Sequence, residues 1–250
     1  NTLKNKLARK KIIKKVVELS GVEESKINNL LDKYGSYSYA SLIIKENLDY
    51  ETALKIYIAS GELPGIFIQK GSKRKYLIND QPNSSTSTIS LAHVLGYLGK
   101  LDEKEYKELG NSGYLLFDNI GKTGLEKTYE SYLRGKYGRK KVEVDAGGHE
   151  IQVLAEIPPT PGNNLILNID LEAQAKLESA LKTSLKKYNK TRAAAVAMDP
   201  RDGSILAMVS LPSFDNNDFS AGITQKKYKE YLNNKNNPLF NRLTNGTYPS

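Results

Sequence analysis

A serine followed three residues later by a lysine is a pattern that can do chemistry, because the lysine can activate the serine hydroxyl for attack on a carbonyl. The pattern occurs three times in this chain, as Ser72 with Lys75, Ser179 with Lys182, and Ser184 with Lys187. Three occurrences are close to the number that the serine and lysine content of the chain produces by chance. The pattern alone therefore does not indicate a nucleophile.

Ser179 and Lys182 lie in a stretch with helical periodicity, in which residues three apart are neighbours on the helix surface. The predicted buried stripe of this helix consists of Leu177, Leu181, Leu185 and Tyr188. At about 100° per residue, Ser179 falls on the opposite, solvent-exposed face. An exposed lysine stays protonated and cannot act as a base, so we expect no catalysis from this pair.

The tripeptide Lys122-Thr123-Gly124 matches the Lys-Thr-Gly element of serine transpeptidases and β-lactamases. That element belongs on a strand that follows the nucleophile, whereas this tripeptide precedes a helical stretch. Gly121 and Lys122 also suggest a phosphate-binding loop, but such a loop requires a glycine where Leu116 stands. We therefore predict a turn at the start of a helix.

Composition excludes several kinds of site. The chain has no cysteine, which rules out disulfides, cysteine-ligated zinc and thiol catalysis. The two histidines, His93 and His149, are too few and too far apart to indicate a metal site, and we expect them to make ordinary hydrogen bonds. No apolar run approaches the ~20 residues that cross a bilayer, and no signal peptide is recognisable. Any membrane anchor is therefore expected to lie outside this chain.

The net charge of +9 raises the question of nucleic-acid binding. Seven basic residues cluster between residues 4 and 15, and two predicted helices, 3–19 and 23–33, superficially resemble a helix-turn-helix. The lysines surround the apolar stripe instead of lining one face, however, and arginine, the main reader of bases, is nearly absent there. We predict that the chain does not bind nucleic acid.

Hydrophobic periodicity and turn residues indicate an α+β chain. Helices are predicted over residues 3–19, 23–33, 50–60, 102–109, 125–133 and 171–188. Strands are predicted over residues 64–69, 75–79, 142–145, 149–156, 165–169, 194–198 and 205–210, with a polar loop over 79–90. The best linker is residues 158–162, and the turn 199–203 joins the last two strands into a hairpin.

Longer stretches carry a resemblance that is more specific than any of the short motifs. These stretches are ELPG at 62–65, HVLGYLG at 93–99, GKTGLEKTYESYLRGKYGRKKVEV at 121–144, AVAMDPRDGSILAMVSLPSFDNNDF at 195–219 and NPLFNRLTNGTYPS at 237–250. Together with residues 37–47 they follow the order seen in class B penicillin-binding proteins of the elongation type. The chain resembles that family, penicillin-binding protein 2-like, over nearly its whole length.

The resemblance implies a non-catalytic pedestal, or dimerisation domain, over residues 1–160, with its N-terminal part missing. It implies that residues 161–250 begin a transpeptidase domain, an antiparallel sheet with flanking helices in which helix 171–188 packs on hairpin 194–210. The implied activity is D,D-transpeptidation of peptidoglycan stem peptides, with β-lactams acylating the same serine and with no organic cofactor or metal. The implied partners are cell-wall elongation proteins, which would dock on the pedestal at the outer face of the cell membrane.

The chain departs from the family pattern at both ends. The phrase Arg-Gly-x-Ile-x-Asp-Arg-Asn-Gly, which follows the family's membrane helix, is absent, and so is every Ser-x-Asn. Ser250 stands where the family usually has proline, so we expect the nucleophile about two residues beyond it. No residue of this chain is assigned a catalytic, cofactor-binding or metal-binding role, and we expect the 250 residues alone to be inactive. A non-catalytic docking module remains the alternative.

Overall fold

A computed structural model describes residues 6–34, 42–69, 71, 73–77, 91–144, 150–220 and 222–247. Its helices are α1 Lys6–Ser20, α2 Glu24–Tyr34, α3 Tyr50–Ile58, α4 Ala92–Leu95, α5 Glu103–Leu109, α6 Gly124–Thr128, α7 Glu130–Leu133, α8 Leu171–Lys187, α9 Asn217–Ser220 and α10 Gln225–Leu232. Its strands are β1 Leu98–Lys100, β2 Asn119–Gly121, β3 Arg139–Val144, β4 Glu150–Ile157, β5 Ala193–Met198 and β6 Ile205–Leu211. They form three antiparallel pairs, β1 with β2, β3 with β4, and β5 with β6.

The α+β prediction is confirmed. No helix of the described ranges is long and apolar enough to cross a membrane.

The chain divides into two compact units, each assembled from separate segments. The first unit contains the described parts of residues 1–72, 106–117 and 135–161. The second contains the described parts of residues 73–105, 118–134 and 162–250. Two early segments therefore associate with the C-terminal third of the chain. The predicted domain boundary at residues 160 and 161 remains a prediction.

The core of the first unit is formed by the N-terminal helices. Its buried side chains are Ile12, Ile13, Val16, Val22, Ile27, Ile56 and Leu63. The apolar stripe of α1 thus faces this core, and the basic residues around it lie at the margins, as expected of an ordinary amphipathic helix. Asp49 caps α3 by accepting a hydrogen bond from the backbone N–H of Thr52 at 2.8 Å.

The hairpin predicted around residues 142–156 is present in the first unit and is longer than predicted. Strands β3 and β4 pair from Arg139 opposite Ile157, with two irregularities in register. Beyond the strands, the backbones of Lys136 and Thr160 exchange two further hydrogen bonds of 2.8 and 3.0 Å. The turn at 145–149, which includes His149, lies outside the described residues.

The second unit contains the hairpin β5–β6 with α8 packed on it, as predicted. The side chain of Asp170 caps α8 by accepting hydrogen bonds from the backbone N–H groups of Glu172 and Ala173. In the turn of the hairpin, Gly203 has φ of +78°, which a residue with a side chain adopts at a cost. Ala207 and Val209 of β6 are fully buried.

Three predicted strands are wrong over their described residues, since 64–69, 75–77 and 165–169 belong to no strand pair. Ile66 and Ile68 do pack against the core of the first unit while Phe67 is exposed, so the alternation that suggested a strand is real. Alternating burial reports which side chains point inward, and it does not require a neighbouring strand. The predicted loop at 79–90 lies outside the described residues.

Two helix predictions also need correction. The helix predicted over 125–133 is split into α6 and α7 at Tyr129, whose φ of −108° and ψ of 21° leave the helical region. The carboxylate of Glu130 then accepts a hydrogen bond from the backbone N–H of Gly121 at 2.9 Å, a contact with β2 that the local sequence does not indicate. On α8 the buried residues are Gln174 and Glu178, while Tyr188 of the predicted stripe is exposed. The other members of that stripe are half-buried, namely Leu177, Leu181 and Leu185.

Candidate functional site

None of the short motifs forms a catalytic arrangement within the described residues. Ser179 and Ser184 are exposed on α8, as predicted for Ser179, and Ser72 lies outside the described residues. Lys182 pairs with the buried carboxylate of Glu178 at 2.6 Å. The lysine of this motif is thus engaged in an ion pair within α8.

The Lys122-Thr123-Gly124 tripeptide forms the start of a helix, as predicted. Thr123 is the N-cap residue of α6, and Gly124 has φ of +59°. A side chain at Gly124 would meet the backbone of Val94 and Gly96 at less than 3 Å. The ammonium group of Lys122 contacts the carboxylate of Glu105 at 2.5 Å. The tripeptide therefore has a structural role here.

The described residues contain no cluster of three or more histidine, cysteine or acidic side chains that could hold a metal ion. His93 makes an ordinary hydrogen bond, as predicted: its Nε2 lies 2.9 Å from the carbonyl oxygen of Pro238. Burial lowers the pKa of His93 to about 4. The ring is therefore neutral at physiological pH, and its Nε2–H donates to that carbonyl.

The segment that follows β6 is held to α4 by a buried asparagine. Asn216 is only 1% exposed. Its side-chain amide donates to the carbonyl oxygens of Gly96 at 2.5 Å and Ala92 at 3.4 Å. Since these two carbonyls lie at the end and the beginning of α4, Asn216 fixes the short helix against the segment.

Aromatic rings fill the space next to Asn216. Phe214 makes edge-to-face contacts with His93 and Tyr97, with ring centroids 5.2 and 5.9 Å apart. Phe219 stacks between Tyr97 and Tyr231, at 3.9 and 5.9 Å. The Tyr231 hydroxyl donates to Asp218 at 2.5 Å, and burial together with this bond raises its pKa to about 12. We call these five side chains the aromatic cluster.

A cleft of about 470 Å³ borders the aromatic cluster. It is lined by Glu178, Lys182, Leu185, Thr191, Leu211, Pro212, Ser213, Phe214, Asp215 and Tyr231. Its buried carboxylate, Glu178, is engaged by Lys182, and its phenol, Tyr231, by Asp218. The first contact lies within α8, and the second joins α10 to α9.

The loop 236–242 is folded around one buried guanidinium. Arg242 is 5% exposed, and its side chain donates to the carbonyl oxygens of Asn236, Asn237 and Phe240. Its backbone N–H donates to the Ser210 hydroxyl of β6 at 3.1 Å. A planar guanidinium has five N–H donors in a fixed geometry, which suits several converging carbonyls. Arg242 thus fixes both the shape of the loop and its place on β6.

The residues that hold this loop were not identified as functional from the sequence. The run containing Arg242 carries only the family resemblance, and Asn216 lies in a stretch rich in asparagine and aspartate with no distinguishing spacing. Their importance depends on burial, since a polar side chain inside a protein must be matched by hydrogen-bonding groups. Residues 248–250, including Ser250, lie outside the described residues.

Two family models match the chain in order. The penicillin-binding protein dimerisation domain matches residues 1–167, and the penicillin-binding protein transpeptidase domain matches residues 193–250. The chain is 38% identical over 218 residues, 86% of its length, to the peptidoglycan D,D-transpeptidase MrdA of Escherichia coli K12. It is 36% identical over 94% of its length to MrdA of Salmonella typhimurium. It spans about a third of these relatives, 32% and 35% of their lengths.

Solved structures agree with these matches. A complex between penicillin-binding protein PBP2 and MreC from Helicobacter pylori aligns with 98% of this chain and 43% of that one, with a TM-score of 0.66 and 28% identity. Pseudomonas aeruginosa PBP2 in complex with WCK 5153 aligns with 64% of this chain and 30% of that one, with a TM-score of 0.51 and 38% identity. The chain therefore belongs to the penicillin-binding proteins, with a dimerisation domain followed by part of a transpeptidase domain.

Proposed function

We propose that this chain is the pedestal and the first part of the transpeptidase domain of a peptidoglycan D,D-transpeptidase that cross-links stem peptides in cell-wall elongation. The observation that carries the proposal is the loop held by Arg242, because it lies in the run that leads to the family's Ser-x-x-Lys. The match to relatives named peptidoglycan D,D-transpeptidase over most of this chain supports it.

The proposed nucleophile is a serine about two residues after Ser250, with a lysine three residues further on. The serine Oγ attacks the carbonyl between the two terminal D-alanines of a stem peptide while the lysine takes its proton. The terminal D-alanine then leaves with a proton and an acyl ester remains. An amine from a neighbouring stem peptide attacks the ester and restores the serine. A β-lactam acylates the same serine when its ring amide opens, and this chemistry needs no metal or organic cofactor.

The described residues position the segment that leads to the proposed nucleophile. Arg242 turns three carbonyls of the loop inward, and Ser210 joins the loop to β6. The chain is therefore held to β6 at Arg242, shortly before the proposed nucleophile. Nucleophilic attack depends on such positioning, since a displacement of about 1 Å can cost about 100-fold in rate. We further propose that the protein works at the outer face of the cell membrane, held by an anchor that is not among these residues.

The test begins with the coding sequence after codon 250, where we expect Gly-Ser-x-x-Lys in frame, followed later by Ser-x-Asn and Lys-Thr-Gly. The full-length product is then incubated with benzylpenicillin, and intact mass spectrometry is expected to show one covalent adduct. Replacing the proposed nucleophile with alanine should abolish the adduct. A stop codon directly after Ser250, or a full-length product that benzylpenicillin does not acylate, would contradict the proposal.

A second candidate function is docking of a cell-wall elongation protein on the first unit. The structural relative from Helicobacter pylori is a PBP2 bound to MreC, and it aligns with 98% of this chain. In the first unit, Ile151 and Ile157 of β4 are more than 60% exposed. An isolated two-stranded hairpin is marginally stable in water, and apolar side chains exposed on it are candidates for a protein contact.

The docking proposal is tested with the purified 250-residue chain and the purified MreC-type protein of the same organism. Replacing both Ile151 and Ile157 with aspartate should weaken binding at least tenfold in a titration. Leu232→Asp changes an exposed apolar residue of the second unit and serves as the control, with unchanged affinity expected. Equal affinities for the chain and the double variant would exclude a contact through these two side chains.

A further inference from the structure

His93 belongs to the part of the chain that matches the dimerisation-domain model, yet it contacts the loop 236–242 within the second unit. Its Nε2–H donates to the carbonyl oxygen of Pro238 at 2.9 Å. In return, the side-chain amide of Asn241 donates to the backbone carbonyl of His93 at 3.4 Å. Two hydrogen bonds thus join the loop to His93 of α4, which lies about 145 residues earlier in the chain.

Four carbonyls of the loop are held by two side chains. Arg242 binds those of Asn236, Asn237 and Phe240, and His93 binds that of Pro238. Arg242 belongs to the loop and sets its internal shape. His93 comes from α4 and sets where the loop lies relative to that helix.

The position of His93 is itself fixed. Asn216 holds both ends of α4 through the carbonyls of Ala92 and Gly96. Phe214 packs edge-to-face on the imidazole with ring centroids 5.2 Å apart, which orients the ring. Burial keeps the pKa of His93 near 4, so the ring is a neutral donor throughout the physiological range.

We infer that His93 is a positioning residue for acylation of the transpeptidase: by holding the Pro238 carbonyl it places the segment that leads to the nucleophilic serine. The inference rests on the function proposed above. His93 lies in the matched dimerisation domain, yet through this hydrogen bond it positions the segment that precedes the nucleophile. His93 does not touch the substrate, so its loss should slow the chemical step more than it weakens substrate binding.

The test uses the full-length product and a fluorescent penicillin, with separate determination of the dissociation constant and the acylation rate constant. His93→Leu introduces a side chain of similar size that has no N–H donor. We expect the acylation rate constant to fall about 10- to 100-fold. The dissociation constant should change less than threefold. His93→Gln restores an N–H donor of similar reach, and we expect it to recover most of the rate.

Val94→Ala is the matched control, since it truncates packing on the same short helix and leaves the His93 side chain in place. Each acylation rate constant is corrected for the folded fraction of the variant, which thermal unfolding measures. If the wild type is acylated normally and His93→Leu is acylated at the same rate, this inference is overturned and the proposed function stands. A loss that Val94→Ala reproduces, or that His93→Gln does not recover, also overturns it. A wild type that no penicillin acylates contradicts the proposed function itself.

Discussion

The side chain of Asn217 makes two hydrogen bonds to the backbone of Tyr76, 141 residues earlier in the chain. Its Oδ1 accepts from the Tyr76 N–H and its Nδ2 donates to the Tyr76 carbonyl, both at 2.9 Å. One amide side chain thus satisfies both polar groups of a residue, as a neighbouring strand would. The backbone of Tyr76 is thus satisfied although the described residues of the predicted strand, 75–77, pair with no strand.

Replacing Asn217 with alanine should lower the free energy of unfolding by about 1–3 kcal/mol, because both backbone groups of the buried Tyr76 lose their partner. Asn217→Asp keeps the acceptor but sets a carboxylate oxygen against the Tyr76 carbonyl, so we expect a similar loss at neutral pH. Denaturant unfolding measures both. Asn111→Ala, at an exposed position, should change stability by less than about 0.5 kcal/mol. An Asn217→Asp variant as stable as wild type would exclude the two-bond arrangement.

Gln174 makes the corresponding contact on β6. Its side chain is fully buried, accepts from the Met208 N–H at 2.7 Å and donates to the Met208 carbonyl at 2.9 Å. Gln174→Leu should cost about 2–4 kcal/mol, since two strand groups become unsatisfied in the interior. Amide exchange at Met208 should accelerate accordingly. The matched change Gln152→Leu, at an exposed position of β4, should leave exchange in β6 unaltered. Unchanged exchange at Met208 in Gln174→Leu would contradict the assignment.

Arg242→Lys should destabilise the loop 236–242 although the charge is retained. The three N–H donors of an ammonium group radiate from one nitrogen and cannot match carbonyls that bind two nitrogens of a planar guanidinium. We therefore expect a loss of about 2–3 kcal/mol and faster exchange of the loop amides. Arg201→Lys is the control, because Arg201 pairs with Asp199 in an exposed turn. That change should leave the stability of the protein nearly unaltered, because an exposed ion pair contributes little. If Arg242→Lys lowers stability as little as Arg201→Lys does, Arg242 acts only through its charge.

The lowered pKa of His93 predicts a loss of stability in mild acid. The unfolded chain binds a proton near pH 6.5 and the folded chain only near pH 4, so protonation favours unfolding in that interval. The contribution of His93 is complete above about pH 6.5 and falls as the pH is lowered towards 4, by about 1–2 kcal/mol at pH 5. Unfolding curves of wild type and His93→Gln, compared between pH 7.5 and 4.5, isolate this term. A difference between the two proteins that does not vary with pH would contradict the burial of the ring.

Periodicity predicted the long elements well. Helices α1, α3 and α8 and the hairpins β3–β4 and β5–β6 lie where apolar spacing and turn residues placed them, because these signals act over short distances along the chain. The same signals failed at 64–69 and 165–169. There the alternation of buried and exposed side chains is present, but the strand that would complete the pairing is not among the described residues.

The sequence by itself determined the α+β class, the main helices and hairpins, and the membership in the penicillin-binding proteins, because order and spacing of motifs are local information. Tertiary structure alone decided the roles of His93, Asn216, Asn217 and Arg242. Each of these side chains bonds to backbone groups, which every residue carries and which leave no mark in the sequence. Only folding shows which carbonyl lies within reach, and a buried polar side chain is stable only where one does.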